Sequence, residues 1–206
     1  MELLTCFSHS RRANLYSGII LAISFATFAY SHLLGFNRTH EWTLLLFCFS
    51  ETLATVFLLI RTDPKTVSVI HFDWLVAVGG TFAPLLLRPA AWGIAPFAKY
   101  TIAAGVMIQI AGLISLNRSF AIVAAKREIK TGGLYRFVRH PLYASYFLTY
   151  CGYVLANTTI RNLILYAITI VLLFIRVFRE EEHLAMDIQY REYTQKVNYR
   201  IIPFVY

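Results

Sequence analysis

Acidic residues are scarce in this chain, with 11 Asp and Glu among 206 residues against 19 Lys and Arg. Charged residues of both signs reach only 15%, where soluble domains carry about 25%. With 58% hydrophobic residues, that shortage excludes an ordinary water-soluble domain. Cysteine is equally sparse. Cys6, Cys48 and Cys151 are scattered, form no even disulfide set and have no metal-ligand spacing, so they read as small apolar packers and no metal is expected. Six prolines and ten glycines leave no composition for a long flexible linker. The length suits one compact membrane unit.

What is abundant is apolar sequence in long runs. The runs at 14–36, 42–60, 69–87, 97–116, 142–156 and 160–178 read as spans, since about 20 apolar residues cross about 30 Å of hydrocarbon. The run at 142–156 is short, and Asn157-Thr-Thr159 leaves little room before the next. The expected fold is therefore all-α, a polytopic helical bundle of six membrane helices, with five full crossings as the alternative. Arg11-Arg12 before the first run imitates a secretory signal, but the run is long and lacks a convincing cleavage site, so a retained helix is expected. No lipidation signal is read at the C-terminus.

The basic residues sort by side. With six spans and both termini together, Arg11, Arg12, Arg61, Lys65, Arg118, Lys126, Arg127, Lys130, Arg136, Arg139, Arg176, Arg179, Arg191, Lys196 and Arg200 share one face. Only Arg38, Arg88, Lys99 and Arg161 fall on the other. That asymmetry predicts cytoplasmic termini and a cytoplasmic 117–141 loop. The net charge of +8 then faces anionic membrane lipid, and nucleic-acid binding is not expected. Asn37-Arg-Thr and Asn157-Thr-Thr match the glycosylation pattern in very short outer loops.

Up to residue 95 the chain reads as scaffold. Gly79-Gly80 and Ala83-Pro84 suggest close helix contact or a kink in the third span. Glu51, between Ser50 and Thr52, is an ionisable group inside the second span; it either serves function or holds two helices together. Asp73 beside Trp74 reads as an interfacial anchor, and Lys99 and Tyr100 as snorkelling and belt residues.

From residue 96 the character changes, and 96–206 is expected to be the functional region. It comprises a connector at 117–141, a helical hairpin at 142–178 and a tail. The connector ends in Thr131-Gly-Gly-Leu-Tyr-Arg-Phe-Val-Arg-His-Pro-Leu-Tyr143. Pro141 suits the first turn of a helix, which sets Arg139 and His140 at a helix mouth able to receive an anion. The last span runs into Arg176-Val-Phe-Arg-Glu-Glu-Glu-His183. Arg176 and Glu180 share a helical face, and at most two of the three carboxylates can face a common pocket. The end, Ile201-Ile-Pro-Phe-Val-Tyr, is apolar enough to return to the membrane or close over a pocket.

This ordered set, with Tyr190-x-x-Tyr193 and Ile202-Pro203 behind it, resembles the isoprenylcysteine carboxyl methyltransferase family. More broadly it resembles the membrane methyltransferase superfamily that includes phospholipid N-methyltransferases. The resemblance covers residues 100–206 or so. It implies a multi-pass membrane enzyme that uses S-adenosylmethionine in a cytoplasm-facing pocket. Carried over by position, the cofactor contacts would be Phe120, Arg127, Glu128, Ile129, Lys130, Tyr135, the His140-Pro141-Leu142-Tyr143 turn with Arg139 before it, and a carboxylate at Glu180 or Glu181. Spacing from Arg176 favours Glu180, and spacing from Tyr193 favours Glu181. Arg176 matches the position that meets the substrate, so Arg176, Glu180 and Glu181 are the catalytic candidates. Ala144-Ser145 stands where glycine is frequent, and Gln189-Tyr190 where Phe-Gly is common.

The residue chemistry separates acceptors. A prenylcysteine carboxylate is already ionised and needs only a cation such as Arg176. A phosphatidylethanolamine ammonium must first lose a proton, which calls for a glutamate of raised pKa. An arginine on the substrate side tilts the reading toward a carboxylate on a lipophilic, prenylated or lipid acceptor. Three alternatives stay open: a phospholipid N-methyltransferase, a protein like the NADPH-dependent sterol reductases, which share an Arg-His-Pro-x-Tyr element, and a non-enzymatic membrane protein.

Overall fold

The structure is a computed structural model describing residues 11–68, 70–90, 92–123 and 125–204. Cys6, Val205 and Tyr206 lie outside the described residues. Among the described residues there are seven α-helices: α1 (Arg11–Thr39), α2 (Thr43–Ile60), α3 (His71–Phe82), α4 (Lys99–Leu116), α5 (Pro141–Ala156), α6 (Ile160–Leu184) and α7 (Ile188–Lys196). A two-residue antiparallel ladder, β1 (Thr66–Val67) with β2 (Ala125–Lys126), is the one sheet among the described residues. The all-α membrane bundle expected from composition is the architecture observed.

Each of the six apolar runs contains a helix, but they are unequal. Four helical stretches, Asn14–Thr39, Thr43–Ile60, Lys99–Ser119 and Ile160–Leu184, are long and apolar enough to cross a membrane. The third run contracts. Its α-helix is 12 residues, about 18 Å at 1.5 Å per residue. Pro84 supplies no amide hydrogen, and Ala83–Leu86 continues as a tighter 3-10 turn. The 16-residue α5 reaches about 24 Å.

Residues 87–90 and 92–95 pack on the α5–α6 turn. Asn162 is its hub: Nδ2 donates to Arg88 O and Asn157 O, both at 2.8 Å, and Oδ1 accepts from Arg88 N at 3.2 Å. Asn157 Oδ1 accepts from Ala90 N at 2.9 Å. Both backbone and side chain of this turn are therefore committed, since unpaired polar groups are costly here.

Helices α4 and α5 meet along a seam of small residues. At Gly105 an added Cβ would stand 2.2 Å from Thr149 Oγ1 and 2.8 Å from Thr149 N, so only glycine permits this approach. Asp73 does more than anchor an interface. It is buried, Arg179 Nε on α6 donates to its Oδ1 at 2.6 Å, and Ser68 Oγ donates to its other oxygen. That ties α3 to the end of α6.

The connector is folded, although it holds little regular structure. Asn117 takes a left-handed φ of 50° and ends α4. Arg118 Nε donates to Ile60 O at 2.8 Å and Thr62 N to Arg118 O at 3.0 Å, docking the strand on the end of α2. Further on, the β1–β2 ladder holds it, and a 3-10 turn at Gly133–Arg136 reverses it. Gly133 has φ +58°, and a Cβ there would meet Ser115 Oγ at 2.2 Å. The tail then returns across the connector: Tyr199 O accepts from Arg139 N at 2.9 Å, and Arg200 O from His140 N at 2.8 Å.

Candidate active site

Connector, α5, the end of α6 and α7 line a cleft. Of the residues that the sequence nominated, Phe120, Arg127, Glu128, Ile129, Lys130, Tyr135, Arg139, His140, Leu142, Tyr143, Arg176 and Glu180 line it. Pro141 and Glu181 do not. Pro141 is buried in the first turn of α5. Glu181 turns the other way, for a reason the tail supplies.

Glu181 is the centre of a clasp. Its Oε1 lies 3.1 Å from both Arg139 Nη1 and His140 Nε2, and its Oε2 accepts from Arg200 Nε at 2.8 Å. Tyr190 Oη reaches the same carboxylate at 3.4 Å. The anion expected at the mouth of α5 is thus, in part, the protein's own Glu181, which joins connector, α6 and tail. Glu182 is exposed and pairs with Arg179 at 2.5 Å.

Glu180 is the triplet's cleft-facing member. Tyr143 Oη donates to its Oε2 at 2.6 Å. The Tyr143 ring also carries the Arg176 guanidinium, whose Cζ stands 5.3 Å from its centroid. Arg176 Nη1 donates to Thr81 Oγ1 at 3.1 Å, and its Nε is buried without a partner. Arg176 and Glu180, one turn apart, thus bracket the cleft with Tyr143 between them.

At the opposite wall Arg127 is buried. Its Nη2 donates to Asn14 Oδ1 at 3.2 Å, while Nε and Nη1 are without partners. Burial, with Arg61 nearby, pulls this guanidinium down to about 10, against the opposing pull of Asp63. It stays charged at neutral pH, with two donors to offer. Burial raises the Tyr135, Tyr190 and Tyr193 phenols, so they stay neutral donors. Tyr193 Oη donates to Tyr135 O at 2.6 Å, fixing α7 against the 3-10 turn. On the exposed rim Lys130 Nζ lies 2.6 Å from Glu128 Oε2, which holds that carboxyl below its ordinary range.

A second cavity opens inside the bundle between α1, α2, α3, α4, α5 and α6. Phe120, Tyr146 and Arg176 line both cavities, so the two meet at Arg176. The walls of the inner one are largely apolar and aromatic, with Phe25, Phe28 and Phe47 among them. Tyr146 escaped the sequence reading. Its signal was available, because it follows Tyr143 by three positions and so shares its helix face.

Residues 96–191 match the family model described as phospholipid methyltransferase. No curated protein matches the chain. The matched segment holds α4, the connector, α5, α6 and the start of α7, which together build most of the cleft. The similarity, over just under half of the chain, is to a membrane methyltransferase domain, within the superfamily that the sequence resembles. Together with four helices long and apolar enough to cross a membrane, it supports a membrane methyltransferase.

Proposed function

We propose that the protein is an S-adenosylmethionine-dependent methyltransferase whose lipophilic acceptor lies in the inner cavity with an anionic head at Arg176. An isoprenylcysteine-type carboxylate is the acceptor this arrangement favours. The observation that carries the reading is Arg176 itself, a half-buried residue with a buried, unpartnered Nε at the junction of the two cavities.

The cleft's residues fit the methyl donor. Arg127 offers two unpartnered buried donors for a carboxylate. Glu180 suits an ammonium or a ribose hydroxyl. Phe120, Tyr135 and Tyr146 supply faces for adenine and for a sulfonium, by stacking and cation–π attraction. When bound, S-adenosylmethionine supplies an electrophilic methyl group on sulfur. The protein's part is then positioning, because in-line displacement depends on alignment. Arg176 holds the acceptor head, Tyr143 keeps Arg176 and Glu180 apart, and the tail clasped by Glu181 keeps water out. A carboxylate acceptor needs no base, and the junction presents a cation to it. The distribution of basic residues puts the cleft on the cytoplasmic side.

Phospholipid methylation is the second reading, favoured by the family match. Arg176 would then hold the lipid phosphate, and Glu180 would take the ammonium proton. Equilibrium binding to the detergent-purified chain tests the cofactor assignment. S-adenosylmethionine should bind, Glu180→Gln should weaken it roughly tenfold, a difference of 1.4 kcal/mol, and NADPH should not compete. Tight NADPH binding without S-adenosylmethionine binding would overturn the proposal in favour of a reductase.

A further inference from the structure

The inner cavity contains a carboxyl group for which methyl transfer to a carboxylate has no use. Glu51 on α2 lines the cavity, and its Oε2 is buried with no hydrogen-bond partner. Its neighbours give it no help: Thr52 Oγ1 donates to Cys48 O at 2.7 Å, and Thr55 Oγ1 takes the Glu51 backbone carbonyl at 2.9 Å. Glu51 is therefore not observed stitching two helices together. A carboxyl oxygen without a partner in a low-dielectric interior is costly unless something that enters the cavity satisfies it.

Glu51 and Arg176 line this same cavity, Glu51 from α2 and Arg176 from its junction with the cleft. An acceptor whose head is held at Arg176 therefore extends its chain into the space that Glu51 lines. A plain prenyl or acyl chain reaching past Arg176 would leave it unsatisfied.

We propose that Glu51 is a specificity-determining residue that reads a hydrogen-bond donor, a hydroxyl or an amine, carried on the acceptor's chain beyond its head. The inference rests on the reading of the inner cavity as the acceptor site. It ranks the lipophilic anions that the site accepts, those with a polar group along the tail binding best. Glu51 is also outside the segment that matches the family model, so this selectivity is a feature of the N-terminal half.

The test uses the full chain in lipid nanodiscs and a matched series of probes. These are dodecanoate, dodecanoate hydroxylated at the fifth carbon, dodecanoate hydroxylated at the eleventh, and the methyl ester of each. One of the two alcohols should bind roughly tenfold tighter than the unsubstituted chain, the size of one buried hydrogen bond. Glu51→Leu should erase the preference while the unsubstituted chain keeps its affinity, and Glu51→Gln, which retains an acceptor oxygen, should keep part of it. A role in packing alone would shift all probes together. Equal affinity for all three chains in the wild type, or a preference that survives Glu51→Leu, would overturn the proposal. The wild-type series decides even if Glu51→Leu fails to fold. Equal binding of acids and esters would sink the anionic-head reading and leave the Glu51 assignment standing on the hydroxyl preference.

Discussion

Glu180 and Glu181 are adjacent in sequence and face opposite ways: Glu180 accepts from Tyr143 at 2.6 Å inside the cleft, while Glu181 accepts from Arg200 at 2.8 Å behind it. One carboxylate is left to meet a ligand and the other closes the tail over the site. This division predicts that the two substitutions fail differently. Glu181→Ala leaves Arg139 and Arg200 without their shared anion, and breaking a buried pair costs about 3–5 kcal/mol. Thermal unfolding in detergent should fall sharply for Glu181→Ala and little for Glu180→Gln, and cofactor affinity should fall for both.

Arg176 supplies the second prediction. Arg176→Ala should reduce turnover of a carboxylate acceptor by about two orders of magnitude, as loss of a charge-assisted contact worth about 3 kcal/mol implies. Cofactor affinity should stay within about twofold. Parallel binding and rate measurements check this, and equal loss of both would make Arg176 a structural residue.

A third prediction concerns the α4–α5 seam. Gly105→Ala puts a Cβ against Thr149 Oγ1 and backbone N. Forcing the helices apart should cost about 1–3 kcal/mol. It should also lower the melting temperature without changing the pH profile of activity.

Asp187 gives the fourth. Lys126 Nζ lies 2.8 Å from its Oδ2, and Gln189 N donates to its Oδ1 at 3.0 Å, capping α7. The hydrogen bond from Lys126, helped by Gln189 N, holds this carboxyl below its ordinary range. Its folded pKa is depressed, so the stabilisation is present above the unfolded value of about 3.9 and is lost as pH falls through the lower, folded value. The difference between wild type and Lys126→Met, read by hydrogen exchange of α7, should therefore be constant near neutrality and vanish in acid. Asp187→Ala should cost about 1 kcal/mol more through the lost cap.

Much of this arrangement is legible in the residues alone. Apolar run lengths located six of the helices, because the hydrocarbon core sets how long such a run must be. Pro141 marked the start of α5, and its one-turn spacing placed Arg176 with Glu180. Two things were out of reach. The contraction of α3 goes with the tighter turn at Pro84, and the segment beyond it is held by Asn157 and Asn162, contacts with no periodic signal. The orientation of Glu181 depends on where Arg200 returns, through contacts separated by 19 residues and by 41 for His140. Local spacing could therefore leave Glu180 and Glu181 only as equals. Glu51 stood out as an ionisable group in an apolar run, but whether it meets a neighbour or a cavity is decided by α5 and α6.

The most direct measurement is methyl transfer from radiolabelled S-adenosylmethionine to a farnesylated cysteine analogue by the purified protein, with total lipid extract as the parallel acceptor. The account predicts base-labile label on the cysteine analogue, the signature of a carboxyl methyl ester, and its loss in Arg176→Ala. Label confined to lipid, stable to base, would contradict the carboxylate assignment and establish phospholipid methylation. Transfer to neither acceptor, with no binding of S-adenosylmethionine, would contradict the proposed donor.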